Sequence, residues 1–139
     1  MSSPLLPPGY RPSDDEEFMN PIMKEYFRQR LHVWRDELLQ ESTETLHNLQ
    51  DSGLQEPDIA DRASAETERS LELRTRDRER KLIAKIDAAL ERLVDGSYGF
   101  CEDTGEPIGV RRLDARPIAT LSLEAQERHE RQERTQREE

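Results

Sequence analysis

Cysteine is nearly absent from this chain: Cys101 is the only one in 139 residues. A single thiol excludes an internal disulfide and fits a reducing compartment. Long apolar runs are missing too, so neither a signal peptide nor a membrane span is expected, and the protein reads as soluble and cytoplasmic. Hydrophobic residues make up 32% of the chain against 37% charged, and aromatics only 5%. That balance excludes a large buried core and suits long helices with a narrow apolar seam plus one small globule. Positive charge is in deficit, with 21 Lys and Arg against 31 Asp and Glu, a formal net charge of −10. An acidic chain is poorly suited to nucleic acid as a direct partner, because phosphate binding needs a basic surface.

What is present is helical periodicity. Residues 1–19 hold four of the eight prolines and are expected to form a flexible tail. Asn20-Pro21 reads as N-cap and first residue of a helix. Phe27, Leu31, Trp34 and Leu38 follow at heptad steps, and Leu46 and Leu49 resume the seam, so this helix is expected to reach about Gln50. His32 and His47 on it are expected to be solvated. A returning helix is expected from about Asp58 to about Val94, with Leu71, Leu82, Ile86, Ala89 and Leu93 as its seam. Residues 20–94 are thus an antiparallel coiled-coil hairpin with its tip at 51–63.

The tip carries two carboxylates, Asp58 and Asp61, three residues apart on one face of a turn. Gly53 can close the first helix and Pro57 blocks backward extension of the second. The two aspartates fit an N-cap with an acidic partner at N3. A further reading, compatible with the cap, has one aspartate cap the helix while the other probes a partner. A metal-dependent hydrolase site lacks a pocket, a histidine and supporting groups. Further along, Arg74 to Lys81 forms a dense charge band. It is either a solvated face with pairs such as Asp77–Lys81 or a docking surface.

From Asp95 the composition shifts. Four glycines with Pro107 and Pro117 predict a short-stranded, turn-rich globule over 95–121, with Phe100, Ile108, Val110, Leu113, Ile118 and Leu121 as core. Ser122 begins a last helix over 122–139, whose pairs Glu124–Arg128, Glu127–Arg131, Glu130–Arg134 and Glu133–Arg137 have the favourable orientation. Cys101, Thr104, Ser122 and Ala125 have the spacing of a zinc knuckle. Only Cys101 is a thiol, so no zinc is expected and the fold is a zinc-finger-like globule lacking the metal.

Ser70 to Arg74, Arg76 to Ile83, Tyr98-Gly99-Phe100-Cys101, Ile108 to Leu113 and Ala115-Arg116-Pro117 together resemble the DksA family of bacterial transcription regulators. The resemblance spans about Phe18 to about Glu130. It implies a non-enzymatic, monomeric regulator that binds RNA polymerase without contacting DNA. Its coiled coil would enter the secondary channel, with Asp58, Asp61 and Ala63 as the tip that approaches the active centre. Arg78 would serve docking. The family works with the alarmone ppGpp, and Leu82, Lys85 and Arg116 match the positions that bind it. Gln126 stands where better-known members carry a basic side chain, which implies weaker alarmone binding or use of Arg128. The missing cysteines argue against thiol-based redox sensing. Two other readings remain: a secondary-channel factor for elongation or transcript cleavage, and a coiled-coil adaptor indifferent to the tip.

Overall fold

The computed structural model describes residues 6–52 and 59–138. Its helices are α1 (Pro21–Ser52), α2 (Ile59–Asp95), α3 (Val110–Ala115) and α4 (Leu123–Glu138). Among the described residues there is no strand, only one antiparallel bridge, Phe100 to Pro107. No helix among them is long and apolar enough to cross a membrane. The chain forms two compact units. One comprises the chain up to Leu31 and from Ala88 onward, and the other is His32–Asp87.

α1 starts where its local chemistry dictates. The Asn20 side-chain oxygen accepts the Met23 N–H at 2.9 Å, and Pro21 occupies the first turn, where its missing donor costs nothing. The helix runs 32 residues, roughly 48 Å at the standard rise. α2, at 37 residues, spans roughly 55 Å. It begins at Ile59, just past Pro57, as the sequence implies. The expected turn at Gly53 and the Asp58 cap lie outside the described residues, as does the Leu49 side chain.

In the His32–Asp87 unit, the latter part of α1 and the first part of α2 run antiparallel. Arg35 Nε donates to Asp87 Oδ1 across them at 2.6 Å. Leu38 and Ile86 are buried and Trp34 half-buried, which matches the expected seam. Leu71 departs from it, being 54% exposed. The inward positions on α2 are instead Glu72, Arg76, Glu79, Ile83 and Ile86, spaced by four, three, four and three. One residue of offset rotates a side chain by about 100°, so Leu71 faces solvent while Glu72 turns inward. On α1, Ser42 and Thr45 are half-buried within the stretch that had read as a polar interruption.

The other unit has a denser core. Met23, Phe27, Leu31, Ala89, Leu113 and Ala125 are fully buried, with Tyr98 and Val110 close to it. Ile108 and Ile118 are buried as expected, but Phe100 is 37% exposed and Leu121 only half-buried. The expected short strands are replaced by turns and by α3. α2 ends at Gly96, whose φ of 87° is readily open only to glycine, and the Arg92 carbonyl accepts the N–H groups of Gly96, Ser97 and Tyr98.

Residues 6–20 pack onto this unit, where composition had suggested a free tail. Tyr10 donates to Glu16 at 2.8 Å, and Glu16 accepts the Ser13 N–H at 2.8 Å. Phe18 sits edge-on to Phe100, and Met19 is buried. A side chain at Gly99 would come within 3.1 Å of both Phe18 and Met19, so that glycine lets the segment close. Composition marks the prolines but not the ring contacts of Tyr10 with Tyr26 and of Phe18 with Phe100 that hold the segment.

Candidate functional site

The residues singled out by sequence fall in three places, each described within its own unit. At the tip, Asp58 lies outside the described residues. Asp61 falls in the first turn of α2, and Ala63 is exposed.

The basic band lies in the His32–Asp87 unit. Asp77 turns toward Arg80, at 3.9 Å, rather than toward Lys81. Arg74, Arg78, Lys81 and Lys85 are exposed and have no ion pair among the described residues. Steps of four, three and four place them on one face of α2. They form an unneutralised cationic stripe on an acidic chain. Leu82 beside it is half-buried. Glu72 and Glu79 point the other way, and each has one oxygen out of water with no hydrogen-bond partner.

The third place is the globule. Arg116 follows α3 and is exposed, with its side chain unpaired among the described residues. Gln126 is committed to Glu130 through a 3.3 Å contact. Two long-range ties went unnoticed in the sequence. Tyr26 and Arg30 both reach Asp114, and Asp103 meets His129 at 2.7 Å. Nothing in the spacing of these residues signals such contacts.

Around the knuckle, the Cys101 Sγ accepts the Ser122 N–H at 3.3 Å, and the Ser122 hydroxyl accepts the Ala125 N–H at 3.2 Å as the N-cap of α4. Burial pushes the Cys101 thiol up, but the Ser122 N–H and the hydroxyl and N–H of Thr104 outweigh it and bring the pKa down to about 6. Buried Tyr98 donates to the Pro117 carbonyl at 2.7 Å, and burial drives its phenol well above the ordinary range.

Two family models match. Residues 23–93 match "DnaK suppressor protein DksA, N-terminal domain", and residues 96–131 match "Prokaryotic dksA/traR C4-type zinc finger". The RNA polymerase-binding transcription factor DksA of Caulobacter vibrioides is 64% identical over 128 residues, covering 92% of this chain and 90% of that protein. Its counterpart in Escherichia coli K12 is 46% identical over 115 residues, covering 83% and 76%. Among solved structures, transcription factor DksA2 from Pseudomonas aeruginosa superposes with a TM-score of 0.79 at 45% identity, covering 84% of this chain and 90% of that one.

The zinc-finger match corrects the expectation that zinc plays no part, because it points to zinc binding by this segment. The four knuckle positions themselves do not fit a four-thiolate site. Ala125 is a fully buried methyl, Ser122 is occupied as a helix cap, and no group of three or more His, Cys, Asp or Glu converges among the described residues.

Proposed function

From its membership of the DksA family, which the two family models and the Caulobacter relative establish, we propose that this chain binds RNA polymerase and regulates transcription initiation without itself being an enzyme. The cationic stripe of Arg74, Arg78, Lys81 and Lys85 carries the docking part of this reading. Unpaired cations along one helical face, on a chain of net charge −10, suit an acidic protein surface rather than the extended phosphate lattice of DNA. The tip, with Asp58, Asp61 and Ala63, is assigned the action on the polymerase active centre through its secondary channel. That partner places the protein's work in the bacterial cytoplasm.

The effector part of the reading is ppGpp, with Leu82, Lys85 and Arg116 as its contacts. Lys85 and Arg116 support it as exposed cations whose side chains have no ion pair among the described residues. Gln126, uncharged and bonded to Glu130, adds nothing to the phosphates.

Asp61→Asn tests the division between docking and action. The change removes a charge from the first turn of α2 with little change in volume, a loss of about 0.3–1 kcal/mol, so the fold is retained. The variant is expected to compete for polymerase with near-normal affinity yet fail to alter transcription from a sensitive promoter. Arg78→Ala is expected to do the reverse, with affinity down about tenfold for one lost charged contact. Full transcriptional activity in Asp61→Asn would reduce the tip to a helix cap and favour an adaptor.

A further inference from the structure

Arg116 is held by its neighbours rather than by its own side chain. α3 is six residues long, too short to be stable alone, and Gly109 at its N-cap offers no capping side chain. Its C-terminal end is fastened from α1 instead. Arg30 Nη1 donates to the Asp114 carbonyl at 2.7 Å and to its Oδ1 at 2.6 Å, while the Tyr26 hydroxyl donates to the same Oδ1 at 2.8 Å. Beyond Arg116, the Pro117 carbonyl is fixed by Tyr98. The Arg116 N–H itself donates to the Arg112 carbonyl at 2.7 Å. The backbone is therefore tied on both sides of a guanidinium that makes no ion pair among the described residues.

The clamp has an electrostatic consequence as well. Asp114 lies two residues from Arg116 and is a carboxylate able to compete for it. Arg30 and Tyr26 both engage its Oδ1, with Arg30 balancing its charge, and Arg116 makes no ion pair with it, which leaves the Arg116 charge available to an outside anion. Tyr26 is in turn braced by residues 6–20, since Tyr10 packs edge-on against its ring at 5.9 Å.

We propose that Asp114, gripped by Tyr26 and Arg30 and braced by Tyr10, is a positioning residue that aims Arg116 at the phosphates of the alarmone. The proposal rests on the reading of Arg116 as an effector contact. It gives the N-terminal segment a function: pre-organising a receptor so that little ordering remains at binding. Disturbing the clamp then weakens the effector response without touching the effector.

The test is a ppGpp titration of the full chain with RNA polymerase on a responsive promoter, reading the half-maximal concentration and the amplitude separately. Arg116→Ala is expected to raise the half-maximal concentration about tenfold or more. Asp114→Ala is expected to raise it about five- to tenfold with the amplitude at saturating ppGpp retained. Asp114→Glu should recover most of the loss, because it restores the acceptor. Tyr10→Ala should shift it about two- to threefold. An unchanged titration in Arg116→Ala would overturn the effector reading and the proposal with it. A shift in Arg116→Ala with none in Asp114→Ala would overturn the positioning role alone. A fall in amplitude at unchanged half-maximal concentration in both Asp114→Ala and Tyr10→Ala would also overturn it, making the clamp merely structural.

Discussion

The two units of this chain are built on opposite terms. The unit made from the chain ends buries Met23, Phe27, Leu31, Tyr98 and Leu113 and stitches distant segments together through Asp114, Pro117 and Asp103. The His32–Asp87 unit buries Leu38, Ile86 and a glutamate, Glu79, while leaving Leu71 and Leu73 in water. Its helices are supported mainly by local bonds, such as the threonine hydroxyls of Thr43, Thr67 and Thr75 returning to carbonyls four residues back. One unit is fixed by packing and the other by helix propensity along a thin, partly polar seam.

The sharpest way to break this contrast is to truncate the core of the first unit. Phe27 is fully buried between Tyr26 and Tyr98, with ring centroids at 5.2 and 5.6 Å. Phe27→Ala is expected to cost about 3–5 kcal/mol in urea unfolding. Leu71→Ala should stay within about 0.5 kcal/mol. Similar losses at the two sites would mean that the seam is packed as tightly as the core.

Next in size is a gain. Glu79 is 5% exposed and one of its oxygens has no partner, a state that costs about 1–3 kcal/mol. Glu79→Leu should recover about 1 kcal/mol or more and slow hydrogen exchange of the α2 amides in the His32–Asp87 unit. A loss of protection would show that the carboxylate is stabilising and that the seam is better satisfied than its geometry indicates.

Ser122→Ala probes the globule at the point where the knuckle meets α4. Losing the cap on the Ala125 N–H should cost about 1 kcal/mol, seen as faster exchange in the first turn of α4. Unchanged exchange would remove Ser122 from the supports of that helix.

The smallest effect concerns residues 6–20. The Tyr10 hydrogen bond and the Ser13 N–H hold the Glu16 carboxyl below its ordinary value of 4.5, so its contribution is present above that value and fades as pH falls through the lowered pKa. Burial, followed by the bond to Glu16, pushes the Tyr10 phenol up to about 12 from 10.0, so its share is complete below 10.0 and lost as pH rises through about 12. The Tyr10–Tyr26 contact should therefore persist from about pH 5 to 10 and loosen on either side. In Tyr10→Phe, the Glu16 carboxyl, followed by NMR titration, should move back toward its ordinary value. If it stays where it is in the wild type, the bond is not what holds it down.

Features written in adjacent residues were legible from the chain alone. Asn20-Pro21 placed the start of α1, Pro57 the start of α2 and Ser122 the start of α4, because capping is a contact over three or four positions. The α2 seam was read one residue out at Leu71, since a leucine is a stronger apolar signal than the glutamate beside it. The Glu-Arg pairs expected on α4 do not close at Glu124–Arg128, Glu127–Arg131 or Glu130–Arg134, and the Arg137 side chain lies outside the described residues. Exposed pairs of that kind gain little over hydration and need not form.

By itself, then, the sequence determined a mainly helical chain, the starts of its long helices, its acidic character and the motifs that mark its family. Each follows from short-range periodicity, capping or composition. Only the tertiary structure decided that residues 6–20 are packed, that Glu79 is buried, and that Asp114 is gripped by Tyr26 and Arg30. The Arg30 and Tyr26 contacts to Asp114 join positions 84 and 88 residues apart. No local propensity encodes a contact over that distance. It exists because burying Phe27, Tyr98 and Leu113 brings the ends of the chain together, and the polar groups carried along must then find partners.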